Sequence, residues 1–121
     1  MKQMNISQVA ENFDLTPATL RYYEKIGLIP DIQRKNGVRN YNAQDLDWIE
    51  FIKCMRSAGL SIESLIDYTR LYHEGPQTAD ERMKILIKER ELLFERYQEL
   101  KDTLERLDEK IDKYRRGEFS K

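Results

Sequence analysis

The chemically most distinctive residue of this chain of 121 residues is its single cysteine, Cys54. A lone thiol cannot form an intrachain disulfide or a multi-cysteine metal cage, but its thiolate is a nucleophile. At helical spacing Glu50 is a neighbour whose charge opposes thiolate formation, whereas Lys53 and Arg56 point to other faces. From the residues alone, two interpretations stay open: a reactive sensor and a small core residue.

A second chemical feature is a cluster of cations and hydroxyl-bearing side chains between residues 16 and 41. This segment has five basic and two acidic residues, whereas the whole chain has 21 basic and 22 acidic residues and a net charge of -1. Arginine, tyrosine and threonine side chains bind phosphate oxygens and base edges. The pI of 5.9 therefore excludes only a uniformly basic nucleic-acid binder.

Two short helices joined by a tight turn would position part of this cluster. Residues 7–13 form the first predicted helix, with Ser7 as its cap, and residues 16–26 form the second, with Thr16 capping it before Pro17. This pattern is typical of a helix-turn-helix, whose second helix contacts DNA with its N-terminal residues. The predicted contacts on that helix are Thr19, Arg21, Tyr22 and Tyr23.

The rest of the cluster lies on a predicted β-hairpin. Asn36-Gly37 between two short alternating segments is a strong signal for a two-residue hairpin turn. A hairpin that carries cations beside a recognition helix is expected to act as a wing on the phosphate backbone. Its predicted contacts are Arg34, Lys35, Arg39 and Tyr41.

Three further helices follow the hairpin. Asn42 and Asp45 open a helix over residues 43–58, and Ser61 caps another over residues 62–73. Thr78 and Glu81 form the capping-box pattern of the last helix, which contains no glycine or proline up to residue 116. At ~1.5 Å per residue, this helix would be about 58 Å long.

Apolar residues recur every seven positions along this long helix, in two companion positions that only Arg90 interrupts. A sustained heptad pattern requires a partner helix, although it does not define the polarity of the pair. The alternative is a single solvated helix packed on its own domain. The predicted dimerisation residues are Met83, Leu86, Leu93, Tyr97, Leu100, Leu104, Leu107 and Ile111.

Several of these segments resemble the MerR family of bacterial transcriptional regulators. They are residues 6–10 (ISQVA), 19–29 (TLRYYEKIGLI) and 39–41 (RNY), and the resemblance continues to about residue 75. It implies a mainly α fold: a winged helix-turn-helix DNA-binding domain with a small hairpin wing over residues 1–75, a coiled-coil dimerisation helix over 76–116, and a short tail over 117–121.

The resemblance also implies a function. Members of the family form homodimers through an antiparallel coiled coil, bind a palindromic operator in double-stranded promoter DNA, and bend and untwist it for RNA polymerase. The family's DNA contacts map onto the predicted positions of the second helix, onto Arg39 and Tyr41, and onto Ser61 as a second wing. Arg34 and Lys35 are predicted from charge alone.

The effector is expected to be sensed through Cys54. Metal sensors and iron–sulfur sensors of this family need several cysteines, so neither a metal nor a cofactor is expected. Drug sensors of the family carry a large C-terminal ligand domain, which does not follow the long helix in this sequence. The lone cysteine is similar in placement to the single-cysteine subgroup that responds to aldehydes and other electrophiles, of the bacillus type that regulates alcohol dehydrogenase. Cys54 would then be the nucleophile that the electrophile modifies.

Two other functions remain as alternatives. The first is the same DNA-binding regulator with a non-covalent small ligand and Cys54 as a core residue, and the second is a coiled-coil adaptor without a DNA role. An enzyme is not expected, because the chain offers no Ser/His/Asp set and no glycine-rich phosphate loop. Neither a membrane span nor a secretory signal is visible, so a cytoplasmic location is expected.

Overall fold

Five α-helices and one two-stranded hairpin make up residues 3–119, the part of the chain that the computed structural model describes. In chain order they are α1 (Ile6–Asn12), α2 (Pro17–Lys25), β1 (Arg34–Lys35), β2 (Val38–Arg39), α3 (Ala43–Ser57), α4 (Ile62–Glu74) and α5 (Ala79–Arg115), with a 3-10 turn at Pro76–Thr78. The predicted fold class, mainly helical with a small hairpin wing and a long last helix, is confirmed.

The first helix begins one residue earlier than the sequence predicted. The side chain of Asn5 accepts a hydrogen bond from the N–H of Gln8 at 2.9 Å, and the Gln8 side chain accepts one from the N–H of Asn5, also at 2.9 Å. This reciprocal pair satisfies two N–H groups that the helix start leaves free. The prediction that Ser7 caps this helix is therefore wrong, because Ser7 lies inside α1.

The next three helices start at the predicted caps. The hydroxyl of Thr16 accepts from the N–H of Thr19 at 3.1 Å, with Pro17 in the first turn of α2. Asn42 and Asp45 form a capping box at the start of α3, and the hydroxyl of Ser61 accepts from the N–H of Ser64 at the start of α4. These short-range patterns therefore placed each helix start correctly.

The hairpin also has the predicted turn. Asn36 and Gly37 both have positive φ angles, 54° and 78°, as a two-residue turn between twisted strands requires. Arg34 lies opposite Arg39 and Lys35 lies opposite Val38 in the antiparallel pair. The tip of the hairpin is therefore rich in cations.

The start of α5 differs from the prediction. The hydroxyl of Thr78 lies 2.6 Å from the carbonyl oxygen of Leu71 and 2.8 Å from that of Gly75, and it accepts a hydrogen bond from Arg82. Thr78 thus joins the end of α4 to the start of α5, in place of the capping pair with Glu81 that the sequence predicted.

The described residues form an apolar core that includes Leu20 on the inner side of α2. The indole N–H of Trp48 in α3 and the hydroxyl of Thr69 in α4 both donate to the carbonyl oxygen of Leu28, in the loop after α2. These bonds satisfy a carbonyl group that the core would otherwise leave without a partner. The most deeply buried apolar side chains are Val9, Leu20, Leu28, Ile29, Tyr41, Ile49, Ile52 and Leu65.

The chain divides into two units, and the boundary falls between Glu89 and Arg90. The division falls within α5, so the first turns of this helix belong to the N-terminal unit. The functional boundaries after residues 75 and 116 stay predictions. Among the helices of the described residues, none is long and apolar enough to cross a membrane.

The capping of α1 leads to a first prediction. Asn5→Ala removes the reciprocal pair and should lower the free energy of unfolding by about 1 kcal/mol. Ser7→Ala should leave the stability unchanged or raise it slightly, because alanine is the better helix former inside α1. Urea unfolding followed by circular dichroism measures both variants. Equal losses for the two variants would contradict the assigned cap.

Candidate nucleic-acid interface

Two short helices and their turn present one exposed polar face. Asp14 adopts a positive φ of 54° in the turn, and the N–H of Leu15 bonds the carbonyl oxygen of Ala10 at 2.9 Å. Leu20 is fully buried on the inner side of α2, so Arg21 and Tyr22 point outward and are exposed. The helix therefore carries these two predicted contacts on the side away from the core.

The other two predicted contacts of α2 are less free. Tyr23 is half-buried and packs against the core, with its ring centroid 6.5 Å from that of Tyr22. The hydroxyl of Thr19 is 2.9 Å from the hydroxyl of Thr16, so it takes part in the cap of its own helix. Arg21 and Tyr22 are thus the two side chains of this group that are most available to a ligand.

The tip of the hairpin carries exposed cations. Arg34 and Lys35 are both exposed on β1, and the guanidinium of Arg34 donates to the carbonyl oxygen of Gly37 at 3.1 Å across the turn. This bond holds the Arg34 side chain along the hairpin and leaves most N–H donors of its guanidinium exposed to solvent. Both residues, which were predicted from charge alone, occupy a surface that could contact phosphate.

Arg39, by contrast, is engaged within the chain. Its Nε donates to the carboxylate of Glu24 in α2 at 2.9 Å, and the two side chains are only 20% and 16% exposed. The second carboxylate oxygen of Glu24 accepts from the N–H of Ile32 at 3.3 Å. Glu24 therefore ties α2 to β2 and to the loop between them, a positioning role that the sequence reasoning missed.

The burial of Tyr41 contradicts the prediction that this residue contacts DNA. Its side chain is completely buried, and its hydroxyl has no hydrogen-bond partner among residues 3–119. Its backbone pairs with that of Met4 through two bonds, at 3.0 and 2.8 Å. Burial raises the pKa of the Tyr41 hydroxyl, an effect that the charge of Arg39 opposes. In this structure Tyr41 is a core residue, because solvent does not reach the ring.

The start of α4 carries its own anion. The hydroxyl of Ser61 lies 3.1 Å from the carboxylate of Glu63, in the first turn of the helix. The N–H of Glu63 itself, and then the Ser61 hydroxyl, lower the pKa of the Glu63 carboxyl. The predicted phosphate contact at Ser61 therefore shares this helix start with a carboxylate.

Cys54 is exposed on α3. The ammonium of Lys53 donates to the carbonyl oxygen of Phe13, and the guanidinium of Arg56 donates to that of Leu60 at 2.6 Å. Both neighbouring cations are therefore held away from the thiol, as the helical spacing predicted. The exposure contradicts the alternative in which Cys54 is a small core residue.

Aromatic side chains of α3 and α4 pack against one another. The ring centroids of Trp48 and Tyr72 are 4.6 Å apart, those of Trp48 and Tyr68 are 5.9 Å apart, and those of Phe51 and Tyr68 are 5.7 Å apart. The side-chain amide of Gln44 donates to the hydroxyl of Tyr72 at 2.6 Å, and the guanidinium of Arg82 lies 5.4 Å from the centroid of the Tyr72 ring. Residues 3–119 contain no cluster of His, Cys, Asp or Glu side chains that could hold a metal ion.

Comparisons with protein families agree with this geometry. The family model described as MerR HTH family regulatory protein matches residues 4–71, and a second model described as MerR, DNA binding, matches residues 46–110. The first match alone covers more than half of the chain.

Individual relatives give the same result. The chain is 60% identical over 93 residues to the HTH-type transcriptional regulator AdhR of Bacillus subtilis, a match that covers 76% of this chain and 66%, just under two thirds, of the relative.

Two solved structures are also similar. A putative MerR family transcriptional regulator from Listeria monocytogenes has 48% identity and a TM-score of 0.89, over 92% of this chain and 85% of that one. HiNmlR, a MerR family regulator lacking the sensor domain, bound to promoter DNA, has 26% identity and a TM-score of 0.85, over 95% and 92%.

The matched family and these relatives are transcriptional regulators, which confirms the expectation that the chain is not an enzyme. The family models cover the helix-turn-helix, the hairpin and the long helix as far as residue 110. The chain belongs to the MerR family of helix-turn-helix regulatory proteins.

Proposed function

We propose that this MerR-type DNA-binding transcriptional regulator activates promoters by deforming operator DNA, and that it responds to reactive aldehydes through Cys54. The observation that carries the DNA-binding part is the exposed position of Arg21 and Tyr22 on α2 next in sequence to a hairpin with two exposed cations, Arg34 and Lys35. Glu24 and Arg39 join the two elements.

The proposed contacts divide into two kinds. Arg21 has the donor geometry for bidentate bonds to guanine or phosphate, and the hydroxyl of Tyr22 suits a phosphate oxygen. Arg34 and Lys35 would neutralise phosphates beside the site that α2 reads, as a wing does. HiNmlR, which has a similar fold, was solved bound to promoter DNA, and this supports the assignment.

Activation would follow from the shape of the bound DNA. In the family, regulators bend and untwist a promoter whose spacer is too long, so that RNA polymerase can engage both promoter elements. Bending and untwisting DNA costs free energy. Strong contacts with the DNA backbone on both sides of the recognition helix would offset this cost. The charged hairpin is suited to this part.

Dimerisation would use the seam on α5. Seven of the eight predicted dimerisation residues are exposed in the single chain, from Leu93 at 37% to Leu100 at 70%. Apolar residues that recur at heptad spacing and face solvent are stabilised when a second helix covers them. We therefore assign these residues to a coiled coil that joins two copies, which would place two recognition helices on a palindromic operator.

Sensing would begin at the exposed sulfur of Cys54. The thiolate attacks the carbonyl carbon of an aldehyde, the C=O π electrons move to oxygen, and the oxygen takes a proton from water to give a hemithioacetal. Neither Lys53 nor Arg56 is placed to stabilise the thiolate. A cation that stabilises the thiolate would have to come from elsewhere in the fold or from a second copy of the chain.

The DNA surface leads to a second prediction. Arg21→Ala should weaken operator binding and should reduce the slope of log affinity against log salt by about 1 for each phosphate contact that is lost. Fluorescence anisotropy with labelled operator DNA over a range of salt concentrations measures both quantities.

The matched control for this experiment is Tyr41→Phe. It removes a buried hydroxyl that has no partner, so both the affinity and the salt slope should stay unchanged, while the stability should stay equal or rise by about 1 kcal/mol. A loss of affinity in Tyr41→Phe that matches the loss in Arg21→Ala would restore Tyr41 to the contact surface.

The sensor leads to a third prediction. Cys54→Ser should abolish the induction of a promoter reporter by formaldehyde or methylglyoxal and should remove the adduct at residue 54, whereas adducts on lysine and arginine side chains should stay. The control moves the thiol by one helical turn, in the double variant Cys54→Ser and Ser57→Cys, since Ser57 is also exposed on α3. The double variant should regain an exposed thiol without regaining induction. Normal induction in Cys54→Ser would remove Cys54 from the mechanism.

A further inference from the structure

The turn of the helix-turn-helix is held by a residue of α3. The carbonyl oxygen of Phe13, the residue that ends α1, accepts a hydrogen bond from the ammonium of Lys53. The two residues lie 40 positions apart in the sequence, and both are half-buried. Lys53 therefore joins the third helix to the turn that leads into α2, where the proposed DNA contacts Arg21 and Tyr22 lie.

The end of α1 lacks a cation of its own. Its last turn contains no basic residue, and Glu11 in that turn adds a negative charge where the helix dipole is already negative. Carbonyl groups at the end of a helix also have no partner within that helix. The ammonium of Lys53 supplies both a hydrogen-bond donor and a positive charge at this point, from a distant element.

The backbone of the turn follows a course that needs such support. Asp14 has a positive φ of 54°, and the N–H of Leu15 bonds the carbonyl oxygen of Ala10. A residue other than glycine at positive φ costs conformational free energy, so surrounding contacts must stabilise the turn. Phe13 provides two such contacts, because its side chain packs against the core and its carbonyl oxygen accepts from Lys53.

The loop after α2 is held by two donors instead of one cation. The carbonyl oxygen of Leu28 accepts from Trp48 of α3 at 3.3 Å and from Thr69 of α4 at 3.1 Å. Helix α3 therefore contacts the backbone on both sides of the recognition helix, through Lys53 before it and through Trp48 after it. The second of these points is also held by α4.

We infer that Lys53 is a positioning residue for DNA recognition, because its bond to the Phe13 carbonyl oxygen sets the direction in which α2 leaves the turn. Bidentate contacts with a base edge require a defined geometry, whereas the attraction between cations and phosphates does not depend on sequence. A small rotation of α2 would therefore weaken base contacts of Arg21 more than ionic attraction. The inference rests on the proposed DNA contacts of α2 and adds the residue that fixes their position.

The test compares the affinity of the full chain for operator DNA with its affinity for unrelated DNA of the same length. Lys53→Met keeps a long side chain but removes the ammonium. This variant should bind operator DNA roughly 10-fold more weakly, which is about the effect of losing one base contact. Its affinity for unrelated DNA and its salt slope should stay unchanged, because the partner of Lys53 is a carbonyl oxygen rather than a phosphate. Fluorescence anisotropy measures all three quantities.

Two further variants serve as controls. Lys53→Arg keeps a long cationic side chain with N–H donors, so it should bind operator DNA as the unsubstituted chain does. Arg70→Met removes one positive charge from an exposed site on α4, where Arg70 pairs with Glu74 at 2.6 Å. It should leave operator affinity unchanged and thus accounts for the change in net charge.

Amide hydrogen exchange tests whether the turn itself responds. In Lys53→Met the N–H of Leu15 should exchange roughly 10-fold faster, because the turn that it closes loses a charged hydrogen bond. The N–H of Leu60 bonds the carbonyl oxygen of Met55 at 3.0 Å in the turn after α3, and its exchange rate should not change. Equal acceleration at both positions would indicate general loosening of the fold and would overturn the positioning role.

The binding data can overturn the inference in two ways. Unchanged operator affinity in Lys53→Met would do so, and so would equal losses for operator and unrelated DNA, particularly with a salt slope reduced by about 1, as a lost phosphate contact gives. Arg21→Ala is measured in the same series. Normal operator binding in Arg21→Ala would contradict the proposed DNA surface itself, whereas weak binding there with normal binding in Lys53→Met would overturn only the role of Lys53.

Discussion

The half-buried ion pair between Glu24 and Arg39 is the interaction on which the proposed DNA-binding surface of this chain depends. Its two ends belong to different elements, the recognition helix α2 and strand β2 of the hairpin, and Glu24 also holds the loop between them through the N–H of Ile32. The hairpin has only two residues in each strand. Such a short hairpin is marginally stable alone, so its position relative to α2 has to come from contacts of this kind.

The total charge of this chain is nearly balanced, but the charges are distributed unevenly between the long helix and the segment from α2 to the hairpin. The long helix α5 carries 11 acidic and 10 basic residues, so its own charge is close to balanced. The segment from α2 to the hairpin keeps an excess of cations, and one of its two acidic residues is used as an internal clamp. A local excess of this kind, doubled in a dimer, can bind nucleic acid although the whole chain is slightly acidic.

The sequence allowed most of the local structure to be predicted. The caps at Thr16, Asn42 and Ser61 and the Asn36-Gly37 turn follow from patterns within four residues, and all appear as expected. The cap of α1 was missed because Asn5 and Ser7 are both good capping residues, and the reciprocal role of Gln8 decides between them.

Local sequence patterns could not predict the features of the candidate site that depend on tertiary contacts. Arg39 and Tyr41 have side-chain types that suit DNA contacts, but Arg39 meets a carboxylate fifteen residues away in sequence and Tyr41 is enclosed by the core. The exposure of Cys54 likewise depends on how α3 packs, which helical spacing alone does not determine. The proposed DNA surface is therefore smaller than the sequence suggested, and Arg39 joins the hairpin to α2 through Glu24.

The most direct test of this account is the operator affinity of Glu24→Ala compared with that of Asp31→Ala. Both variants remove a negative charge from the DNA-facing segment, so electrostatics alone would raise the affinity in both cases. Asp31 is exposed, and its removal should raise the affinity modestly. Glu24→Ala should instead lower the affinity, because the hairpin loses its attachment to α2. An increase in the affinity of Glu24→Ala that equals the increase in Asp31→Ala would contradict the positioning role of the ion pair.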